Sequence, residues 1–410
     1  MTTDRTAIRR RLAVRRTAHR PPWGARKAGH RSIVAPLATR VAATLAASLA
    51  LGVGVALAKA ERDRRSARER RLAERQFALL GGEQPVDGFK RMALAQLDIA
   101  LEQLAGEGSG PPDERAVHET RKALKRLRAL VRLLERPLGK EAFARENATL
   151  REIGRRLAGA RDAEVSVETL DRLLERHPRK LGRRRGLLRL RELLVSERER
   201  AADRALGETA ARTQVIAELW AVRGRVAAWQ LGDRPGISIA EPGLERLYRQ
   251  GRERYRRAAA GKGDRGRALH EWRKRVKDLR YAAEMLDRRD PARGEGSGHG
   301  KRAGGGRRRG EERAGRVREL ARRADQLGEL LGEEHDLAVL GERIRRGEER
   351  TRVGRRTRKA ALKAISRRRR ELRKRALADG GRLYRRRPKR FVARVRRAYA
   401  RVAGSAHAAA

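Results

Sequence analysis

Val117-His118-Glu119-Thr120-Arg121-Lys122-Ala123-Leu124-Lys125-Arg126-Leu127-Arg128 is answered 152 residues later by Leu269-His270-Glu271-Trp272-Arg273-Lys274-Arg275-Val276-Lys277-Asp278-Leu279-Arg280. Both copies read His-Glu-x-Arg-Lys-x-apolar-Lys-x-Leu-Arg. A self-match of this length signals an internal duplication. On a helix at about 100° per residue, with the His at zero, the Arg, Lys, Lys and Arg fall at roughly −60°, 40°, −20° and −80°. One face is therefore cationic, with the His at its middle. The opposite face is apolar in both copies: Leu124, Leu127, Leu130, Val131 and Leu134, then Val276, Leu279, Ala282, Ala283 and Leu286.

A solvated surface helix is the ordinary reading of such a pattern, because Lys and Arg rarely bury. Two features weigh against it. Solubility alone does not require the same basic residue types at the same offsets twice. A merely soluble face also mixes in acids at i+4, and here Glu119 and Glu271 are the only acids at the shared positions.

The rest of the chain agrees with a cationic role. Its 410 residues hold 105 Lys and Arg against 52 acids, a net charge of +53. Residues 1–58 carry +10 of this, so the excess is not a tail effect. Such a charge repels itself and calls for an anionic partner: nucleic acid, an acidic membrane surface or a polyphosphate chain. The absence of Cys excludes disulfides, thiolate metal sites and Cys nucleophiles. Ala, Leu, Arg and Glu dominate and strand-like alternation is scarce, which predicts an all-α chain.

Residues 1–40 read as a disordered basic arm. Residues 41–58, VAATLAASLALGVGVALA, carry no charge and are near the lower length limit for a transmembrane helix. A single-pass anchor is the reading taken, with a signal peptide cleaved after Ala56-Leu57-Ala58 and a buried or membrane-surface helix as alternatives. Basic residues next to the stretch favour its C-terminal side and place the large domain in the cytoplasm, although the 11 basic residues of the arm argue the other way. Residues 59–82 read as a charged helical linker. An amphipathic helix follows, and then the first motif helix, capped by Asp113 and stopped at Pro137.

A second matched element supports the duplication. Ile153-Gly154-x-x-Leu157 with Asp162 and Val165 corresponds to Leu327-Gly328-x-x-Leu331 with Asp336 and Val339. Each Asp is expected between two helices, as an N-cap or a partner for a neighbouring Arg. The halves are placed at about 85–235 and 240–405, with a flexible Gly/Arg loop at 288–312. Helices are expected at Arg313 to Leu331, Asp336 to Gly347, Thr351 to Ala378 and Pro388 to Val402.

A duplicated motif helix of this kind, with an LGxxRD-like element after each copy, resembles the CHAD family (conserved histidine α-helical domain). The second copy is the better match, from His270 to Glu284, to HxxRKxxKxLRYxxE. The resemblance covers roughly residues 85–405. It implies two pseudo-symmetric four-helix bundles and a basic groove or pore that binds inorganic polyphosphate. By position the ligands would be His118, Arg121, Lys122, Lys125 and Arg128, with His270, Arg273, Lys274, Lys277, Arg280 and Tyr281. Two departures stand out: Ala129 takes the place of Tyr281 in the first copy, and His335 precedes Asp336 where the family has Arg. The alternating Glu and Lys strands of the triphosphate-processing domain found beside many relatives are not recognisable.

Polyphosphate has no base edges to read, so binding it needs many cations at moderate spacing on a rigid frame, which helices supply. A His beside such a polyanion is expected to gain charge as pH falls. Nonspecific nucleic-acid binding is the rival reading. The arm and the Gly/Arg loop favour it, while 3% aromatics leave little for base stacking. No enzyme is expected: His118-Glu119 lacks the second His of HExxH, no Ser/His/Asp set is evident, and neither a metal nor a cofactor is implied.

Overall fold

The computed structural model describes residues 75–105, 114–157, 159–182, 184–206, 209–232, 235–287, 305–346 and 353–407, all within the compact unit Ala67–Ala410. The basic arm, the apolar stretch at 41–58, Asp113 and residues 288–304 lie outside them. Among the described residues the chain folds as helices: α1 Pro85–Ala105, α2 Glu114–Leu133, α3 Lys140–Arg156, α4 Gly159–Arg176, α5 Arg185–Leu206, α6 Thr209–Ala227, α7 Glu241–Ala260, α8 Arg265–Leu286, α9 Gly305–Arg346, α10 Arg355–Leu383 and α11 Pro388–His407. The class is all-α, as the composition predicts. No helix among the described residues is long and apolar enough to cross a membrane.

Local chemistry sets the ends that matter. Asp264 caps α8, its Oδ1 accepting from the Arg267 amide at 3.0 Å. Gly261, at φ +66°, takes the left-handed conformation that closes α7. Pro137 does not end the first motif helix outright: a helical turn, Glu135–Leu138, follows α2 before Gly139 opens α3.

The apolar faces then choose the packing. The larger buried cluster draws on α1, α2, α3 and α6 and equally on α7, α8, the first part of α9, the end of α10 and α11. A smaller cluster joins Val167, Leu170 and Leu173 of α4 and Leu187, Leu190 and Leu194 of α5 to Leu337, Leu340 and Ile344 of α9 and Ala361, Ile365 and Leu372 of α10. The buried side chains therefore do not divide near residue 240, and both clusters take residues from each expected half. A close approach across the boundary reinforces this: a Cβ on Gly243, in the first turn of α7, would lie 1.8 Å from the Leu133 carbonyl oxygen at the end of α2. Within the second half, one on Gly380 of α10 would lie 2.4 Å from the Trp272 ring.

Three expectations need correction. Residues 75–80 of the expected charged helix form turns, pinned by the Leu79 amide donating to the Met285 carbonyl at 2.9 Å and by Arg91 donating to Gln76 O and Ala78 O. The loop placed at 288–312 is helical from Gly305 onward. Helix α9 also runs unbroken through Gly332-Glu333-Glu334-His335, where two helices were expected. Gly332, the first residue past the expected end at Leu331, admits a close neighbour: a Cβ there would meet Arg273 Nη2 at 3.2 Å. Asp336 is accordingly an interior residue of α9 and not an N-cap.

Candidate anion-binding site on the motif helices

The motif helices α2 and α8 pack against one another in the larger core. Every residue assigned to the two apolar faces is buried. This orientation turns the cationic faces away from the core and toward α3, α9 and the solvent.

The crossing is held by charge. Asp278 of α8 is 5% exposed and accepts from Arg132 Nη1 of α2 at 2.7 Å, while Arg275 Nη1 lies 3.1 Å from its other oxygen. Both partners of the interhelical bond sit where the two copies differ: Asp278 answers Arg126, and Arg132 answers Glu284. Beside the bond is Arg128, which donates to Asn147 Oδ1 at 3.4 Å. Burial and then the neighbouring Arg132 pull its pKa down to about 10.

Lys277 is the centre of the cationic face. Arg273 precedes it by about one turn and Arg280 follows it on α8. The charges of Lys125 on α2 and of Asp336 on α9 also act on it. Burial first, then repulsion from Arg273, Lys125 and Arg280, lowers the Lys277 pKa to about 7. Lys125 and Lys277 stand at the same offset in the two copies, so equivalent positions are brought within each other's field. Lys125 itself is exposed. Arg273 is shifted down by burial, opposed by Asp336, and its Nε is buried without a hydrogen-bond partner. Arg280 holds Glu284 at 2.6 Å and pairs with Asp325 of α9.

The histidines differ from expectation. The His270 ring lies 4.4 Å from that of His335, centroid to centroid. Burial first, and then His335, Lys274 and Arg273, lower its pKa to about 4, so it is neutral at pH 7 in the ligand-free protein. His118 is half-buried on α2.

Other motif residues are placed less centrally. Arg121, the counterpart of Arg273, donates from Nη1 to the Leu157 carbonyl at 2.6 Å, at the end of α3. Lys122 and Lys274 pair with the glutamates three residues before them, at 3.1 and 2.7 Å, on the outer rim. Tyr281 packs edge-on against Phe77, centroids 6.3 Å apart, with the Arg280 guanidinium 5.6 Å from its own ring. Phe77 in turn lies 5.1 Å from the Arg126 guanidinium. The structure thus gathers Lys125, Arg273, Lys277 and Arg280, and leaves Lys122 and Lys274 at the edge.

Sequence reading missed His335 and Asp325, which reach the face from α9. The only signal for His335 was its departure from the family's Arg, and Asp325 had none. A separate cavity of about 260 Å³ lies between α4, α9 and α10, lined by Leu173, Leu337 and Ala364 with Arg172, Arg176 and Arg368. It includes no motif residue. Among the described residues no group of three or more His, Asp or Glu is placed to hold a metal ion.

Residues 94–289 match the family model of the CHAD domain, a span that includes both motif helices and ends before α9. Among solved structures, the crystal structure of the CHAD domain from the plant Ricinus communis aligns at 20% identity, over 71% of this chain and 88% of that one, with a TM-score of 0.46. No curated protein matches.

Proposed function

We propose that this chain, whose residues 94–289 match the family model of the CHAD domain, binds inorganic polyphosphate on the joined cationic faces of its two motif helices. The observation that supports the reading is the mutual repulsion of Lys125 and Lys277, equivalent positions of the two copies, within a group completed by Arg273 and Arg280. A polyanion laid across this crossing would meet both helices at once. Arg273 would offer a forked donor whose Nε lacks a protein partner, and Lys125 and Lys277 would offer point charges. His118, Arg121, Lys122, Arg128, His270, Lys274 and Tyr281 complete the proposed binding set, with Arg121 and Arg128 also tied to α3. The proposed domain extends over 85–405, because α9 supplies Asp336, Asp325 and His335 to the same face.

The test is competition binding on the whole protein at physiological salt. Labelled long-chain polyphosphate is displaced either by polyphosphate or by charge-matched single-stranded DNA. Polyphosphate is expected to compete better, and Lys125→Ala/Lys277→Ala to lose that advantage. Equal competition by DNA, with the double variant behaving as wild type, would remove the proposal and leave a nonspecific polyanion surface. Binding by counterion release is also expected to weaken as salt rises.

A further inference from the structure

The cavity between α4, α9 and α10 is lined by more positive charge than its own carboxylates balance. Its floor is apolar: Leu173 and Leu337 belong to the smaller core, and Ala364 packs against that core. Its wall is charged. Glu333 of α9 accepts a fork from Arg368 of α10, from Nε at 2.8 Å and Nη2 at 2.9 Å, and lies 3.3 Å from Arg176 Nη1 of α4. Burial would raise the Glu333 carboxyl, but Arg368, Arg176 and Arg172 outweigh it and hold the group below the usual carboxylate range. Glu371 accepts from Arg367 at 3.3 Å and lies 3.6 Å from Arg368 Nη1. Arg172 is exposed and donates to the Glu168 carbonyl at 3.2 Å and to the Thr169 hydroxyl at 3.4 Å. Two carboxylates therefore answer four guanidinium groups, an excess of two cations.

An apolar floor under a few convergent polar groups is the usual form of a small-molecule site. An apolar cavity of about 150 Å³ holds benzene, so a volume of about 260 Å³ leaves room for a ring and a phosphoryl group. A phosphate monoester carries about two negative charges near neutral pH, which matches the excess. A carboxylate would leave one cation over, and inorganic phosphate would leave the floor uncovered. We infer that this cavity is a binding site for a small organic phosphate monoester. Its phosphoryl group is held by Arg172, a forked donor that can grip two oxygens at once, and by the arginines around it. Its apolar body lies on Leu173, Leu337 and Ala364. No residue of the cavity belongs to a motif helix, so the inference stands apart from the polyphosphate reading.

The experiment is calorimetric titration of the whole protein with phenyl phosphate, set against inorganic phosphate and phenol. Phenyl phosphate carries both the charge and the apolar body, and it should bind saturably and at least about tenfold tighter than either control. Arg172→Gln, at an exposed position, should weaken phenyl phosphate about tenfold or more with the melting temperature unchanged. Ala364→Met, which fills the floor, should weaken phenyl phosphate and leave inorganic phosphate as in wild type. If that variant misfolds, Arg172→Gln and the comparison of the three probes still decide. Lys125→Ala/Lys277→Ala should bind phenyl phosphate as wild type does, even where it loses polyphosphate. Equal affinity for phenyl phosphate and inorganic phosphate, or full phenyl phosphate binding by Arg172→Gln, would overturn the inference.

Discussion

Replacing Asp278 by Asn should lower stability while leaving the site more positive. The carboxylate is 5% exposed and is shared by Arg132 at 2.7 Å and Arg275 at 3.1 Å. Arg128 stands close enough for the same carboxylate to oppose the fall in its pKa. Asparagine keeps the shape and one acceptor but removes the charge. Three half-buried guanidinium groups then face one another with their shared anion gone. Breaking one partner of a buried pair costs about 3–5 kcal/mol, because the remaining charge is left uncompensated. In a domain of this size that corresponds to a fall in Tm on the order of 10 °C. The assay is urea denaturation of Asp278→Asn, Arg132→Met and the double variant. The double variant should recover part of the loss, with a coupling of about 2 kcal/mol. Added polyphosphate should raise the Tm of Asp278→Asn by at least as much as that of wild type, since the net charge of the face has risen. A loss under about 1 kcal/mol, with no coupling, would refute the view that this pair holds α2 against α8.

Four further outcomes are expected. Polyphosphate binding should weaken as pH rises above about 7, by up to about tenfold per pH unit, because a bound polyanion restores the Lys277 proton that the free protein has given up. Calorimetry in two buffers of different ionisation enthalpy should show proton uptake near pH 8, and Lys277→Arg should abolish it. In the ligand-free protein Lys277 is depressed from 10.5, so its unfavourable contribution is full below about pH 7 and fades as pH rises toward 10.5. Lys277→Met should therefore stabilise the free protein at pH 6, by roughly 2 kcal/mol, while reducing polymer binding. His270 has the same sign in a lower window: stability should fall as pH drops from 6.5 through about 4, and a His270→Gln variant should show a shallower fall by acid titration. Gly243→Ala would drive a methyl into the Leu133 carbonyl and should cost at least about 2 kcal/mol by thermal melting, whereas Gly154→Ala, with open space around it, should be neutral or stabilising.

The motif helices were legible because a helical period leaves little choice: once Leu124 and Leu127, or Val276 and Leu279, face the core, the offsets at three, four, seven and ten must face away. What was not legible depends on pairs far apart in sequence. Arg121 and Arg273 occupy the same offset and do different things. Arg121 catches the carbonyl at the end of α3, where the helix stops, and Arg273 lies across Gly332, where α9 continues. A glycine in an otherwise good helix reads as a stop because it costs about 1 kcal/mol relative to Ala, and nothing local reveals the guanidinium that uses the space. The Arg132–Asp278 bond is hidden for a related reason. It spans 146 residues and uses two positions at which the copies disagree, so reading the chain for what repeats passes over it. The lowered pKa of His270 comes first from burial and then from His335, which belongs to a different helix.

The joined faces also have an order of birth. Lys277 is synthesised 152 residues after Lys125, an interval of roughly 8–30 s at ordinary rates of translation. Throughout it, α2 can fold locally, but the carboxylate that will hold Arg132 does not yet exist. The nascent chain therefore presents the first cationic face alone to a surrounding made largely of ribosomal RNA. Any polyanion that settles on Arg128 and Arg132 in that interval must be displaced by α8 when Asp278 arrives, so the bond that locks the two helices together also withdraws Arg132 from such a competitor.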